Sequence, residues 1–388
     1  MNRPNYILPL IVVSQFAGTS LWFAGNAILG DIEAASGSAS VANITAMVQF
    51  GFISGTMVFA LLTIVDRFAP SIVFLVSSII AATSNLAILW CAGDSFMLLL
   101  LRFLTGFFLA GIYPIGMKIA ADWYEKGLGK ALGWLVGSLV LGTAFPYLLK
   151  SGTLHLDWKL VIIFTSSIAA LGGFLIYFFI PEGPFRKKGE AFHPKAIIQV
   201  FRSKDFRSAA FGYFGHMWEL YAFWAFVPVI FQIYSTASEN PTNNLIWTFV
   251  IIGIGGLSCI AGGYLSMKIG SAKVAFYALL ISGICCLLSF VAFDFAKPFF
   301  LLYMLIWGIA VTADSPQFSS LVAQKAVQEN RGTAMTFVIS IGFAITIGSI
   351  YVLNYFLKNS SNPKYIFTIL AIGPILGVVS MLRLLKNR

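Results

Sequence analysis

Along the chain, long apolar stretches alternate with short polar breaks. Twelve of them reach the length a spanning helix needs, about 20 residues. They lie at 6–30, 42–65, 70–91, 96–121, 128–150, 158–180, 208–234, 244–266, 272–293, 298–322, 332–356 and 363–383. Runs such as Leu160 to Ile180 are apolar on every face, whereas a membrane barrel strand reads as ~10 residues of alternating character. The pattern predicts an all-α integral membrane protein with twelve transmembrane helices. Composition points the same way: 59% of the 388 residues are apolar and 10% charged, against about 25% charged in soluble domains. A water-soluble enzyme is excluded.

Charge adds a topology. The net charge of +10 raises the question of a nucleic-acid partner, but the basic residues are sorted by loop. Eighteen of the 25 Lys and Arg fall at the two termini and in alternate loops; five fall in the opposite loops, and Arg102 and Lys118 lie within a span. By the positive-inside rule both termini and the loop at 181–207 are cytoplasmic, which requires an even number of spans. Arg186, Lys187 and Lys188 read as part of this signal, with lipid headgroup binding as the alternative. No nucleic-acid partner is expected. The first apolar run is too long for a secretory signal and lacks a small-x-small cleavage site. Cys91, Cys259, Cys285 and Cys286 lie in or at the ends of spans without metal spacing and read as packing residues. Neither a cofactor nor a metal is expected, and no phosphate-binding loop for ATP is present.

The two halves repeat. Gly106 precedes Pro114 by the same interval as Gly308 precedes Pro316, at an offset of 202; Gly129 matches Gly332, and 62–70 matches 263–271, within one residue of that offset. The chain therefore reads as two parallel six-helix repeats: an N-terminal bundle at 1–185, a basic cytoplasmic linker at 186–207 and a C-terminal bundle at 208–388.

These features, with several motifs, give a chain that resembles the major facilitator superfamily over essentially its full length. The family's loop between helices 2 and 3 reads G-x-x-x-D-R/K-x-G-R/K. Here Leu62, Asp66, Arg67 and Ala69 occupy it, and Gly263, Met267, Lys268 and Gly270 occupy its second copy. Arg102 and Gly106 match the R-x-x-x-G pattern of helix 4, while the helix 5 antiporter pattern GP-x-x-GG is absent, with Gly137, Gly142 and Pro146 a loose echo. The resemblance implies a monomeric secondary transporter whose helices 1, 4, 7 and 10 line a central cavity. It places Asp66, Arg67, Lys118, Asp122 and Lys268 near a cytoplasmic gate. The segments HMWELYAFW and ADSPQF look like a clade near the nitrate/nitrite and cyanate porters. Nitrate porters carry an arginine in helices 2 and 8, and residues 42–65 and 244–266 contain none.

Polar residues inside the spans mark a pathway by default, because burying them in lipid is costly. Away from span ends the ionisable ones are Arg102, Glu219 and Asp314, with His216 one turn from Glu219; they fall on helices 4, 7 and 10. Helix 1 adds Gln15, Thr19, Trp22 and Asn26 at 4-3-4 spacing, one stripe on a continuous helix. By the same rotation Arg102, Gly106 and Tyr113 share a face, as do Gly212, His216, Glu219 and Phe223, and Tyr303, Trp307, Asp314, Gln317 and Phe318. Gln15, Trp22, Asn26, Arg102, Tyr113, Trp307 and Gln317 are the candidate substrate contacts. His216, Glu219 and Asp314 are the candidate proton-coupling groups, since a carboxyl held away from water can load and release a proton. Arg102 and Glu219 lie at comparable depth, so mutual neutralisation competes with a coupling role. Asp314 is either a working carboxylate at a proline bend or the cap of the segment beginning at Pro316. Lys118 and Asp122 read as an i, i+4 ion pair, and Trp218, Tyr221 and Trp224 as packing aromatics.

The expected activity is proton-linked import of a small anionic or zwitterionic solute across the plasma membrane, taken as a bacterial inner membrane, among membrane lipid. Efflux of amphipathic cations is one alternative. A sensor or lipid-handling protein is another. No nucleophile or metal constellation suggests catalysis.

Overall fold

The computed structural model describes residues 4–36, 40–91, 93–124, 127–151, 156–186, 194–238 and 243–386. Among these there is no strand, and eleven helices are long and apolar enough to cross a membrane. We label the spans α1 to α12 and call the arms of a broken span a and b. The chain divides into two compact units, Met1–Phe192 and His193–Arg388.

The first unit holds α1a (Ile7–Thr19), α2 (Val41–Leu61), α3 (Pro70–Leu86), α4a (Ser95–Leu109), α4b (Tyr113–Trp123), α5 (Leu128–Lys150) and α6 (Trp158–Phe179). Several boundaries follow from local chemistry. The Ser40 hydroxyl accepts from Asn43 N–H at 3.1 Å at the start of α2, and Asp94 accepts from Phe96 and Met97 N–H at the start of α4a, satisfying donors that a helix start leaves open. Pro70 and Pro114 stand in the first turns of α3 and α4b, where a missing N–H costs nothing. Ala69, where the superfamily loop has glycine, has φ −63°, so no glycine is needed there.

The first span departs from expectation. It is not one helix over 6–30 but stops at Thr19; two short helices, Ala24–Ala27 and Leu29–Ser36, follow a non-helical turn at Ser20–Phe23. Thr19 and Ser20 turn their hydroxyls back onto Gln15 and Ala17 carbonyls at 2.8 and 2.7 Å, competing with the helix ladder. The Lys150–Asp31 ion pair at 2.9 Å ties the far arm to the end of α5.

The second unit holds α7 (Lys204–Ser238), α8 (Asn244–Ile269), α9 (Ser271–Ala292), α10a (Lys297–Ala313), α10b (Ser315–Lys325), α11 (Arg331–Asn359) and α12, a 3-10 turn Pro363–Ala371 running into Ile372–Lys386. Within the stretch expected as linker, Pro194–Arg202 is a helix packed on α7 and α11, with Phe201 edge-on to Phe206 and Phe337.

The repeat is visible in how the two units pack. An added Cβ on Gly106 of α4a would lie 2.0 Å from the Val48 carbonyl of α2; on Gly308 of α10a it would lie 2.4 Å from the Ile251 carbonyl of α8. In both units, then, the fourth helix touches the second backbone to backbone, a contact only glycine allows. Both fourth helices also break just before their proline, and Pro316 offers no N–H to the Thr312 carbonyl. The Cys259 thiol of α8 donates to that carbonyl instead, at 3.3 Å.

Candidate functional site

In the first unit the polar side chains gather around the break in α1. Arg102 of α4a is fully buried. Its Nη2 donates to the Leu21 and Trp22 carbonyls at 2.9 and 2.8 Å, and its Nη1 donates to Asn85 Oδ1 of α3 at 2.9 Å. Asn85 Nδ2 in turn donates to Thr165 and Ser166 of α6. The guanidinium therefore caps carbonyls that the break exposes and links α1, α3, α4 and α6. Among the described residues no carboxylate lies within ion-pair distance of it, and its Nε makes no hydrogen bond. Neutralisation of Arg102 by Glu219 is thus not needed to hold the Nη groups, whose acceptors are neutral groups of the same unit.

The other candidates of this unit follow. Gln15 is fully buried on α1a against Gly116 of α4b. Trp22 lies in the break with its ring 4.9 Å from Phe52. Asn26, 8% exposed, donates to Thr45 of α2 at 2.6 Å. Tyr113 is half-buried at the start of α4b. Two of the expected stripes need correction: α1 and α4 are interrupted at residues 20–23 and 110–112, so a rotation of 100° per residue does not carry across from Thr19 to Trp22 or from Gly106 to Tyr113.

In the second unit α7 is continuous, and its stripe faces α10. His216 packs on Phe318 at 5.6 Å, Phe223 on Trp307 at 4.6 Å, and an added Cβ on Gly212 would meet the Phe318 ring. Glu219 is fully buried and accepts three hydrogen bonds: from Ser282 Oγ at 2.9 Å and Cys286 Sγ at 3.1 Å on α9, and from Trp307 Nε1 at 2.7 Å on α10a. Every partner is neutral. The Ser282 hydroxyl also lies 3.1 Å from the Leu279 carbonyl. It can donate to a carboxylate, or turn to Leu279 and accept from a protonated Glu219. The cage thus accommodates both forms of the acid without breaking an ion pair.

A second pair sits at the α10 break. Asp314 Oδ1 is 2.9 Å from His216 Nδ1, and the Ser315 hydroxyl is 3.1 Å from His216 Nε2. The Asp–His contact has the separation of an ion pair without hydrogen-bond alignment, and neither oxygen of the fully buried Asp314 accepts an aligned hydrogen bond from another side chain. Asp314 occupies the cap position of α10b without making a cap bond, which removes the capping explanation for this residue. Gln317 is buried on α10b beside Gly262.

The gate candidates lie at the ends of several helices. Arg67 is exposed and donates its Nε to Thr63 at 3.2 Å; Lys268 is exposed at the end of α8; Lys118 and Asp122 lie on α4b, the latter buried. Asp122 sits under the segment after α6. Its carbonyl accepts from Phe185 N–H at 3.0 Å, and Arg186, paired with Glu182, donates to the Phe68 carbonyl at 3.1 Å. The Asp66 side chain, and Lys187 and Lys188, lie outside the described residues.

Sequence reasoning from ionisable groups passed over Asn85, Ser282 and Cys286, which set the geometry of Arg102 and Glu219. Cys286 is a hydrogen-bond donor to Glu219 and not only a packing residue; all four cysteines are free. The readable signal was spacing: Ser282 and Cys286 are one turn apart on one face of α9. Among the described residues no group of three His, Cys, Asp or Glu is placed to hold a metal.

No curated protein sequence is significantly similar to the chain. Its fold is similar to that of the human organic anion transporter MFSD10 (TETRAN), at 15% identity over 98% of this chain and 100% of that one, TM-score 0.74. It is also similar to the proton:xylose symporter XylE bound to 6-bromo-6-deoxy-D-glucose, at 14% identity over 100% of this chain and 96% of that one, TM-score 0.77. The Major Facilitator Superfamily model matches residues 7–349. With eleven long apolar helices and the shorter Ile7–Thr19 among the described residues, in two units that pack by a shared rule, the chain belongs to the Major Facilitator Superfamily and is a multi-pass membrane transporter working by alternating access.

Proposed function

We propose that the protein imports a small anionic or zwitterionic solute with protons, and that Glu219 carries the proton. The observation that supports this most is the neutral cage of Ser282, Cys286 and Trp307 around a fully buried carboxyl. A carboxylate locked to lysine or arginine would have to break that pair to protonate; Glu219 only needs one hydroxyl to rotate. His216 and Asp314, on the same α7–α10 seam, form the adjoining relay. In the other unit Arg102 is held by neutral acceptors, with no carboxylate among the described residues paired to it, a field that favours a solute bearing negative charge. Gln15, Trp22, Asn26, Tyr113, Trp307 and Gln317 are the proposed contacts, with Asp122, Lys118, Arg67, Asp66 and Lys268 near the cytoplasmic ends. In this reading both termini are cytoplasmic and the protein acts as a monomer.

The test is accumulation in proteoliposomes under an imposed pH gradient. Glu219→Gln, which keeps shape and hydrogen bonding, should abolish uphill accumulation while leaving solute exchange intact; full accumulation in that variant sinks the assignment. Efflux of lipophilic cations is the second reading, favoured by the two Asp314 oxygens that lack aligned donors. Thermal stabilisation by such cations, lost in Asp314→Asn, would move the function there.

A further inference from the structure

Around the broken first span the first unit buries amide groups whose hydrogen bonding is unmet. Gln15 and Gln49 are both fully buried, and in each neither the amide nitrogen nor the amide oxygen has a partner. Asn26 adds a third acceptor. Its Nδ2 donates to Thr45, whose own hydroxyl donates to the Val41 carbonyl at 2.7 Å, and Oδ1 is left without a donor.

Depth in the membrane relates these groups. Gln49 lies four residues after Thr45 and three before Phe52, which touch Asn26 and Trp22; the face of α2 that carries Gln49 therefore looks onto the α1 break. Gln15 is eight residues from the Ile7 end of α1a and Gln49 eight from the Val41 end of α2, about 12 Å in from each. In antiparallel helices crossing a core of about 30 Å this brings the two amides to within one or two turns in depth. Arg102 is fixed at the α1 break, on Leu21 and Trp22 and beside Gly25.

Buried polar groups are ordinarily satisfied. We propose that these three side chains are the solute's hydrogen-bonding subsite, and that the solute is a small organic acid carrying its own hydroxyl or ammonium donors. This assignment rests on the transport reading above and adds to it the substrate class. An inorganic anion such as nitrate or cyanate offers acceptors only; it can meet the amide N–H groups but leaves the oxygens of Gln15, Gln49 and Asn26 unpaired. A hydroxy or amino acid meets both, while its carboxylate takes the field of Arg102.

The experiment is thermal unfolding of the detergent-purified full-length protein with 10 mM lactate, glycolate or serine, against acetate, nitrate and cyanate at matched ionic strength, since a bound solute raises the midpoint by mass action. At least one of the first three should raise it and none of the last three should. Gln15→Leu and Gln49→Leu should each bind that solute about tenfold or more weaker. Without solute these variants should unfold at the same temperature as the parent or higher, because each removes an unmet buried amide; a merely structural glutamine would give the opposite. Equal stabilisation by nitrate or acetate, no stabilisation by lactate, glycolate or serine, or an undiminished response in both leucine variants overturns the assignment. Binding needs no proton gradient, so Glu219→Gln should keep this response. Loss of accumulation in that variant bears only on the proton reading, and loss of donor-dependent binding in Gln15→Leu and Gln49→Leu only on the solute class.

Discussion

Replacing Arg102 by lysine separates two roles for this residue. The charge is kept, so a pure counter-charge would survive in part. The fork is not: Arg102 reaches Asn85 through Nη1 and the Leu21 and Trp22 carbonyls through Nη2, and a single ammonium cannot stand at both nitrogen positions. At least one acceptor in a fully buried site is left unmet, at about 1–3 kcal/mol each. In a unit of this size, about 2–4 °C per kcal/mol turns that into a fall of about 2–12 °C in the unfolding midpoint of the solute-free protein, measured by intrinsic tryptophan fluorescence. The loss should be matched in part by Asn85→Leu, which removes the Nη1 acceptor and frees Thr165 and Ser166. A solute-free midpoint within about 1 °C of the parent, with solute binding lost, would refute the clamp and return Arg102 to direct contact with the solute.

Further outcomes follow from the packing and the two cages. Gly106→Ala and Gly308→Ala should each lower the unfolding midpoint, because the new Cβ meets a carbonyl at 2.0 or 2.4 Å and backbones must part, at about 1–3 kcal/mol; an unchanged midpoint for both would refute backbone contact. Cys286→Ser keeps a donor to Glu219 and should retain near-parent transport, whereas Cys286→Val should slow it; the check is initial uptake rate in proteoliposomes. Ser282→Ala should impair proton-driven accumulation more than downhill exchange, since it removes the hydroxyl that turns between Glu219 and Leu279.

The frame was legible in the sequence because it is governed by rules that act over a single span or a constant offset. Length and hydropathy placed the eleven long spans, the Gly106/Gly308 and Pro114/Pro316 pairs revealed the repeat, and the bend expected at Pro316 is there, whereas α4 read as unbroken through 110–112. The break in α1 was not legible. Ser20–Phe23 contains neither glycine nor proline, and what holds the chain open there is Arg102, 80 residues away. The stripe on α7 survived because nothing interrupts that helix, while stripes drawn across residues 20–23 and 110–112 assumed a ladder that is not there. The site itself was half legible: Glu219, His216 and Asp314 stand out as charges, but Ser282, Cys286, Asn85 and Gln49 are ordinary-looking residues whose meaning comes from what they face.

The Arg102 clamp also sets an order of assembly. When the first span leaves the ribosome, the side chain that holds its Leu21 and Trp22 carbonyls in the finished protein is still encoded 81 and 80 residues downstream. At synthesis rates of about 5–20 residues per second, the nascent chain waits roughly 4–16 s for it. Throughout that interval the same backbone can close its own hydrogen bonds as a continuous helix, since Ser20–Phe23 contains neither glycine nor proline. The final shape of the first span is therefore settled only when the fourth enters the bilayer beside it.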